Sequence, residues 1–275
     1  MTPAPGFLAL ANRYVIEGRL VSEAPLHVGG AAPDGDSDAP FLRDSAGPYI
    51  PGSSLRGVMR SSLERILQSL GGGRGCVLFA KGSHPRCLTD QANLEKFEKT
   101  LRGSDAAKVE AVRRKVLNGG ICDVCALFGS PLVASKLRLD DCRLKTPERF
   151  TIRDGVGIDR DTESARDKLK FNFQALESGA EFSFFMQVEN AGPTDFALLG
   201  ILLGELTGPG IDVGGKKSRG FGRVKLKADY SVEYFDDIRM FLQKGLQPGA
   251  EAFQRKTQAE LSNYLKEQPH AAAIG

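Results

Sequence analysis

Apolar and polar positions divide the chain into short segments of two different periods. RYVIEGRLVS (13 to 22) reads as a strand, and after a long loop SSLRGVMRSSLERILQSLGGG places Leu55, Val58, Met59, Leu63, Ile66, Leu67 and Leu70 at helical spacing. Ser53 or Ser54 is placed to cap that helix, and Gly71 to Gly73 to end it. SKLRLDDCRL (135 to 144) and EFSFFMQVEN (181 to 190) predict two further strands, the second with Phe182, Phe184, Met186 and Val188 on one face. FALLGILLGELT (196 to 207) predicts a compact apolar helix, and FGRVKLKADY (221 to 230) a closing strand with Val224, Leu226 and Ala228 inward.

With two insertions set aside, at about 71 to 134 and 145 to 179, the order is β-α-β-β-α-β. That order predicts an α+β class with a ferredoxin-like or RNA-recognition-motif core. Residues 1 to 230 form this domain; 231 to 275 add one or two amphipathic helices and a frayed HAAAIG tail. The first insertion carries four of the five cysteines and a helix near AAKVEAVRRKVL; the second is polar and reads as a protruding hairpin. Phe182 and Phe184 share a face with Met186 and Val188, which marks them as core and not as base-stacking aromatics. RNA binding by such a fold would fall to its loops and insertions.

At 275 residues and 41% hydrophobic the chain can bury a substantial core. Its 37 basic and 34 acidic residues nearly cancel, so polyanion binding would need a local patch. VGGKKSRGFGRVKLKA (213 to 228) is such a patch, with six basic side chains and no acidic one. Glycines at 214, 215, 220 and 222, after Gly210, expose backbone N–H groups beside Lys216, Lys217, Ser218 and Arg219. The spacing matches neither a P-loop nor GxGxxG, so a long phosphodiester suits it better than a mononucleotide; a solvated glycine-rich hairpin is the alternative. No secretion signal or membrane-length apolar run is visible, and a cytoplasmic protein without membrane partners is expected.

Cys122 and Cys125 form a CxxC, and Cys76 and Cys87 lie upstream with His84 between them. Two soft half-sites suit a tetrahedral structural zinc ion held by Cys76, Cys87, Cys122 and Cys125, with His84 as substitute for Cys76. A redox CxxC and incidental buried thiols are the competing readings. Cys142, on a predicted strand, is assigned to the core.

The loop after the first strand carries Asp34, Asp36, Asp38 and Asp44. Its DxDxD order lacks the glycine and terminal glutamate of a calcium loop, which leaves a solvated acidic loop as the alternative to a cation site. PGSSLRG opens a helix with Ser53 and Ser54, followed by Arg56 and Arg60 one turn apart, an arrangement suited to anions.

LHVGG, SDAPFLRD, IPGSSLRGVMRS, VGIDRDT and VGGKKSRGFGRV, in that order over residues 13 to 230, resemble the RAMP superfamily. More narrowly they are similar to the backbone subunits of type III CRISPR effector complexes, in a zinc-containing variant. The resemblance implies a subunit stacked along a guide CRISPR RNA, beside neighbouring backbone subunits and the large subunit, with a complementary target RNA as substrate. It implies that His27, Ser53, Ser54, Arg56, Arg60 and Lys216 to Arg219 contact the guide. Ile158, Asp159 and Arg160 would belong to a hairpin thumb that displaces one target nucleotide per period. Asp38, with Asp36 in reserve, would support cleavage at that nucleotide with magnesium or manganese, by orienting or activating the ribose 2′-hydroxyl. A non-catalytic RNA-binding scaffold on the same fold is one alternative. A metal-independent guide-processing endoribonuclease using His27 is another.

Overall fold

The computed structural model describes residues 9–30, 37–71, 74–77, 80, 82, 87–101, 105, 107–108, 110–111, 120–158 and 165–267. Strand β1 (Arg13–Ser22) is the spine of the main sheet. One edge of β1 pairs antiparallel with β8 (Glu181–Glu189), from Arg13 opposite Glu189 to Val21 opposite Glu181. β8 in turn pairs with β4 (Leu137–Leu139). The other edge of β1 is shared. Its first half pairs with β11 (Ser231–Phe235) and its last residues, Leu20 to Ser22, with β10 (Arg223–Leu226). The sheet closes on β9 (Ile211–Asp212) beside β10 and β12 (Gln247–Pro248) beside β11. A smaller sheet joins β2 (Arg43–Asp44), β3 (Gly47–Ile50) and β5 (Cys142–Arg143).

Alternation explains why this sheet has one wet and one dry face. Phe182, Phe184, Met186 and Val188 are all buried, as are Tyr14, Ile16 and Leu20 of β1. Onto that face pack helix α1 (Gly52–Leu70) and the apolar helix α4 (Pro193–Thr207). Between them in sequence lie α2 (Gln91–Leu101) and the short α3 (Asp123–Phe128). Helix α5 (Ile238–Lys244) and helix α6 (Ala250–Lys266) follow the sheet, and α6 packs against α4. Strands β6 (Phe150–Ile158) and β7 (Ala165–Leu176) form an antiparallel hairpin that starts with Phe150 opposite Leu176. No helix among the described residues is long and apolar enough to cross a membrane.

Several expectations need adjustment. Ser53 and Ser54 do not cap α1: Pro51 occupies that position, and the Gly52 N–H donates instead to Asp141 Oδ1 at 2.9 Å. Gly71 does end the helix, at φ 76°. The predicted strand over 135 to 144 is broken into β4 and β5 at Asp140 and Asp141. The closing strand stops at Leu226, so Ala228 is exposed while Val224 and Leu226 are buried. The residues after 230 begin with a strand, β11, before the two helices. The helix expected near 106 to 117 and the tail from 268 fall mostly or wholly outside the described residues.

Candidate functional site

The glycine-rich loop is built on the backbone of His27. Gly215 donates its N–H to the His27 carbonyl at 2.9 Å, and Gly222 donates to the Pro25 carbonyl at 2.9 Å. Gly214 has φ +81°, and a Cβ there would run into the His27 carbonyl oxygen. The loop can therefore lie flat against residues 25 to 28 only because it has no side chains there. Lys216 follows at φ 61°, and its Nζ sits over the Phe171 ring at 4.6 Å and the Phe173 ring at 5.1 Å. Lys217, Ser218 and Arg219 then form an exposed 3₁₀ turn ending at Gly220.

A groove of about 810 Å³ runs between this loop and α1. Ser53, Gly57, Ser61 and Arg65, four residues apart, line it from the helix, together with Ser54 and Ser62; Gly210, Asp212, Gly214, Lys217 and Arg223 line the other wall. Arg223 is tied to Asp212 at 2.6 Å, whereas Lys217 and Arg65 make no ion pair with the described residues. The groove thus brings together Ser53, Ser54 and Lys217, separated by some 160 residues of sequence. Serine hydroxyls, backbone N–H groups and two uncommitted cations are donors suited to phosphate oxygens.

Arg56 and Arg60 lie on a different stripe of α1. Arg56 is half-buried and donates to the Phe128 carbonyl; burial, then the neighbouring Arg60 charge, lowers its pKa. Arg60, expected on the guide-facing surface, is only 7% exposed and points at the cysteine cluster. That correction follows from helical periodicity: residues 56, 60 and 64 form a stripe facing α3, beside the one that lines the groove.

Asp38 sits at the foot of the hairpin, exposed. Its N–H donates to Asn172 Oδ1 at 2.8 Å, and its Oδ2 accepts from the Asn172 N–H at 2.8 Å. The flanking chain is anchored to the same strand, with Gln174 N donating to the Ala39 carbonyl at 3.0 Å and Phe41 N to Gln174 Oε1 at 3.0 Å. His27 completes this corner. Its Nδ1 lies 2.7 Å from the Gln174 carbonyl, which can only accept, so Nδ1 carries the hydrogen. The ring is 6% exposed and packs edge-on against Phe173 at 5.1 Å. His27 is thus a strut between glycine loop and hairpin, and little of it is open to a ligand.

Asn172 and Gln174 escaped the sequence reading. Their signal was present in KFNFQA, where polar residues alternate with Phe171 and Phe173 as they do on a strand with one aromatic face. The Phe171 ring lies across Gly155 of β6, where any Cβ would collide with it. Asp36, Asp159, Arg160 and His84 lie outside the described residues, and Ile158 ends β6 with only its backbone described.

The four cysteines converge. The sulfurs of Cys76, Cys87, Cys122 and Cys125 all lie within 4.8 Å of one another and all four residues are buried. Zinc–sulfur bonds of about 2.3 Å put tetrahedral sulfurs roughly 3.8 Å apart, so the cage fits a metal ion of that class. Its surroundings fit too. The Cys76 N–H donates to Cys122 Sγ and the Cys122 N–H to Cys87 Sγ, both at 3.3 Å, and Thr89 Oγ1 is 2.9 Å from both Cys87 and Cys125. The four thiols also act on one another: hydrogen bonds, first from Cys122, hold Cys87 far below its usual range and bring Cys125 down to about 7, while bonds within the same cluster push Cys76 and Cys122 up. Four donors are present without His84. Among the described residues this is the one grouping of three or more His, Cys, Asp or Glu ligands, and Asp38 is not part of it. Cys142 is apart from the cage, buried, as a core residue should be.

Residues 19–225 match a family model described as the RAMP superfamily. The chain is also 24% identical over 263 residues to a protein named CRISPR system Cms endoribonuclease Csm3 from Methanothermobacter thermautotrophicus, a match covering 82% of this chain and 89% of that one. A protein of the same name from Methanocaldococcus jannaschii is 23% identical over 244 residues, covering 80% and 81% respectively.

Proposed function

The chain belongs to the RAMP superfamily, and from that premise we propose that it is a guide-RNA-binding backbone subunit of a cytoplasmic type III CRISPR effector complex that cuts complementary target RNA. Two relatives named as CRISPR endoribonucleases, matched over four-fifths of the chain, support this reading. The strand order β10–β1–β8–β4, with α1 and α4 on one face, supports a ferredoxin-like core within residues 1 to 230. On the same reading residues 71 to 134 are a zinc-binding insertion, 145 to 179 the thumb, and 231 to 275 an appended segment. The partners are guide RNA, target RNA, neighbouring backbone subunits and the large subunit.

One observation carries the catalytic part: Asp38 and Lys216 are both fastened to residues 171 to 173 of β7. A strand that belongs to the thumb would then hold, at its foot, both the candidate carboxylate and the start of the guide-gripping turn. The guide's phosphates lie in the groove on Ser53, Ser54 and Lys217, with Ser218 and Arg219 at its mouth. The thumb, with Ile158, Asp159 and Arg160 near its tip, unstacks one target nucleotide and frees its ribose to rotate. Asp38 orients the 2′-hydroxyl and accepts its proton as the oxygen attacks the adjacent phosphorus in line, forming a 2′,3′-cyclic phosphate while the 5′-oxygen leaves and takes a proton from water. Magnesium or manganese, with Asp38 as the candidate residue to hold it, would supply charge neutralisation there. Zinc in the Cys76, Cys87, Cys122, Cys125 cage is structural, since four protein ligands leave no open position for water.

The test is cleavage of end-labelled target RNA by the guide-loaded complex, comparing wild type with Asp38→Ala in magnesium and in EDTA. Loss of regularly spaced, metal-dependent cuts with target binding retained is expected. An unchanged pattern would reduce the chain to a binding scaffold.

A further inference from the structure

Three residues hold the Arg60 guanidinium. Its Nε donates to Glu64 Oε1 at 2.7 Å, one Nη to the Gly129 carbonyl at 2.8 Å, and the other to Cys125 Sγ at 3.2 Å. Both Arg60 and Glu64 side chains are 8% exposed. Four thiolates around a divalent ion leave a doubly negative centre, and burying it requires donors on the sulfurs. Among the described residues the backbone N–H groups and Thr89 supply neutral donors, and Arg60 supplies the only cationic one. Gly57 and Ser61 of the same helix flank it in sequence and line the groove.

We infer that Arg60 is a positioning residue that joins the cysteine centre to the groove-lining helix, so that metal retention and RNA binding are coupled through it. The inference rests on reading the cage as a structural metal centre. Glu64 fixes the plane of the guanidinium, and the two Nη groups then span from Cys125, inside α3, to Gly129, just past its end. Arg56 adds a second tie from α1 to the same segment, at Phe128. A shift of the metal-holding segment is therefore passed to α1 directly, without any change in the RNA-contacting side chains.

The experiment uses the full chain as Arg60→Met, Arg60→Lys and Lys217→Ala, with two readouts. One is the rate of zinc transfer to the chelator 4-(2-pyridylazo)resorcinol; the other is the affinity for single-stranded RNA across a salt series. Arg60→Met should release zinc about ten- to a hundred-fold faster, and its RNA affinity should fall with the metal lost. Arg60→Lys, which keeps the charge but not the fork, should be intermediate, and it decides the matter if Arg60→Met does not fold. Lys217→Ala should weaken RNA binding and leave zinc release at the wild-type rate. Wild-type zinc release in both Arg60 variants overturns the inference; if their salt slope also falls, Arg60 is a phosphate ligand instead. A wild-type chain purified without zinc overturns the metal-centre reading itself, and metal analysis separates that failure from the others.

Discussion

Asp38 and Asn172 are locked to each other by two crossed hydrogen bonds, each main chain donating to the other's side chain at 2.8 Å. An exposed aspartate in a loop would ordinarily sample many rotamers. Here one carboxylate oxygen is committed to the hairpin, and the other makes no hydrogen bond with the described residues. The pair makes the carboxylate part of the hairpin's geometry and not of the loop's.

This pairing separates charge from position. Asp38→Asn keeps an acceptor for the Asn172 N–H but removes the base, so target cleavage should vanish with target binding intact. Asn172→Ala keeps the carboxylate but loses the acceptor for Asp38 N. Losing about 1 kcal/mol of orientation should slow cutting on the order of five- to ten-fold. Single-turnover cleavage by the assembled complex checks both, and an Asn172→Ala complex as fast as wild type would remove the hairpin from any role in orienting Asp38.

The glycine loop gives a contrast between two glycines of equal φ. Gly214 and Gly220 have φ of +81° and +80°, yet only Gly214 has the His27 carbonyl where a Cβ would go. Gly220→Ala should cost about 1–2 kcal/mol, the penalty of the left-handed conformation alone. Gly214→Ala should cost more and push the loop off His27, and it should weaken RNA binding as well. Urea denaturation of the two variants distinguishes them; equal losses would mean the close approach to His27 is not maintained in solution.

Much of this arrangement could be read in the sequence, and the exceptions have physical reasons. β1, α1 and β8 were legible because each buries one face, and burial imposes a period of two or near four; α4 was legible as a continuous apolar run, buried without a break from Asp195 to Leu199. β11 was not, since SVEYF has only Val232 and Phe235 buried and its partner lies more than 200 residues earlier. The four cysteines could be grouped because soft ligands have few other uses. Arg60 was misassigned because an arginine one turn from another looks the same whether it faces a phosphate or a sulfur. Only the docking of α3 against that stripe settles which.

Cys142 tests the division of the five cysteines into four and one. Burial, with Asp141 and Asp140 nearby, pushes its thiol up from 9.0 to about 12. A folded-state value above the unfolded one means that ionisation penalises the folded chain. Its contribution is full below pH about 9 and is lost as pH rises toward 12. At pH 8 a thiol reagent should leave Cys142 untouched in the native chain and label it after denaturation. Rapid native labelling at Cys142 would contradict its place in the core.

The groove predicts how binding responds to salt. Lys217 and Arg65 line it without ion partners among the described residues, while Arg223 is already held by Asp212. Replacing Lys217 or Arg65 by alanine should reduce the slope of log affinity against log salt by about 0.7 each, as one lost contact to single-stranded phosphate does. The loss should be the same for RNAs of different sequence, because backbone contacts carry no base information. Arg223→Ala should alter the slope less, since its guanidinium is already engaged by Asp212 and not by a phosphate. Filter binding over a salt series with two unrelated RNA sequences measures all three. If Arg223→Ala has the largest slope change, the Asp212 pair opens on binding and the phosphate path runs along β9 and β10 in place of the helix.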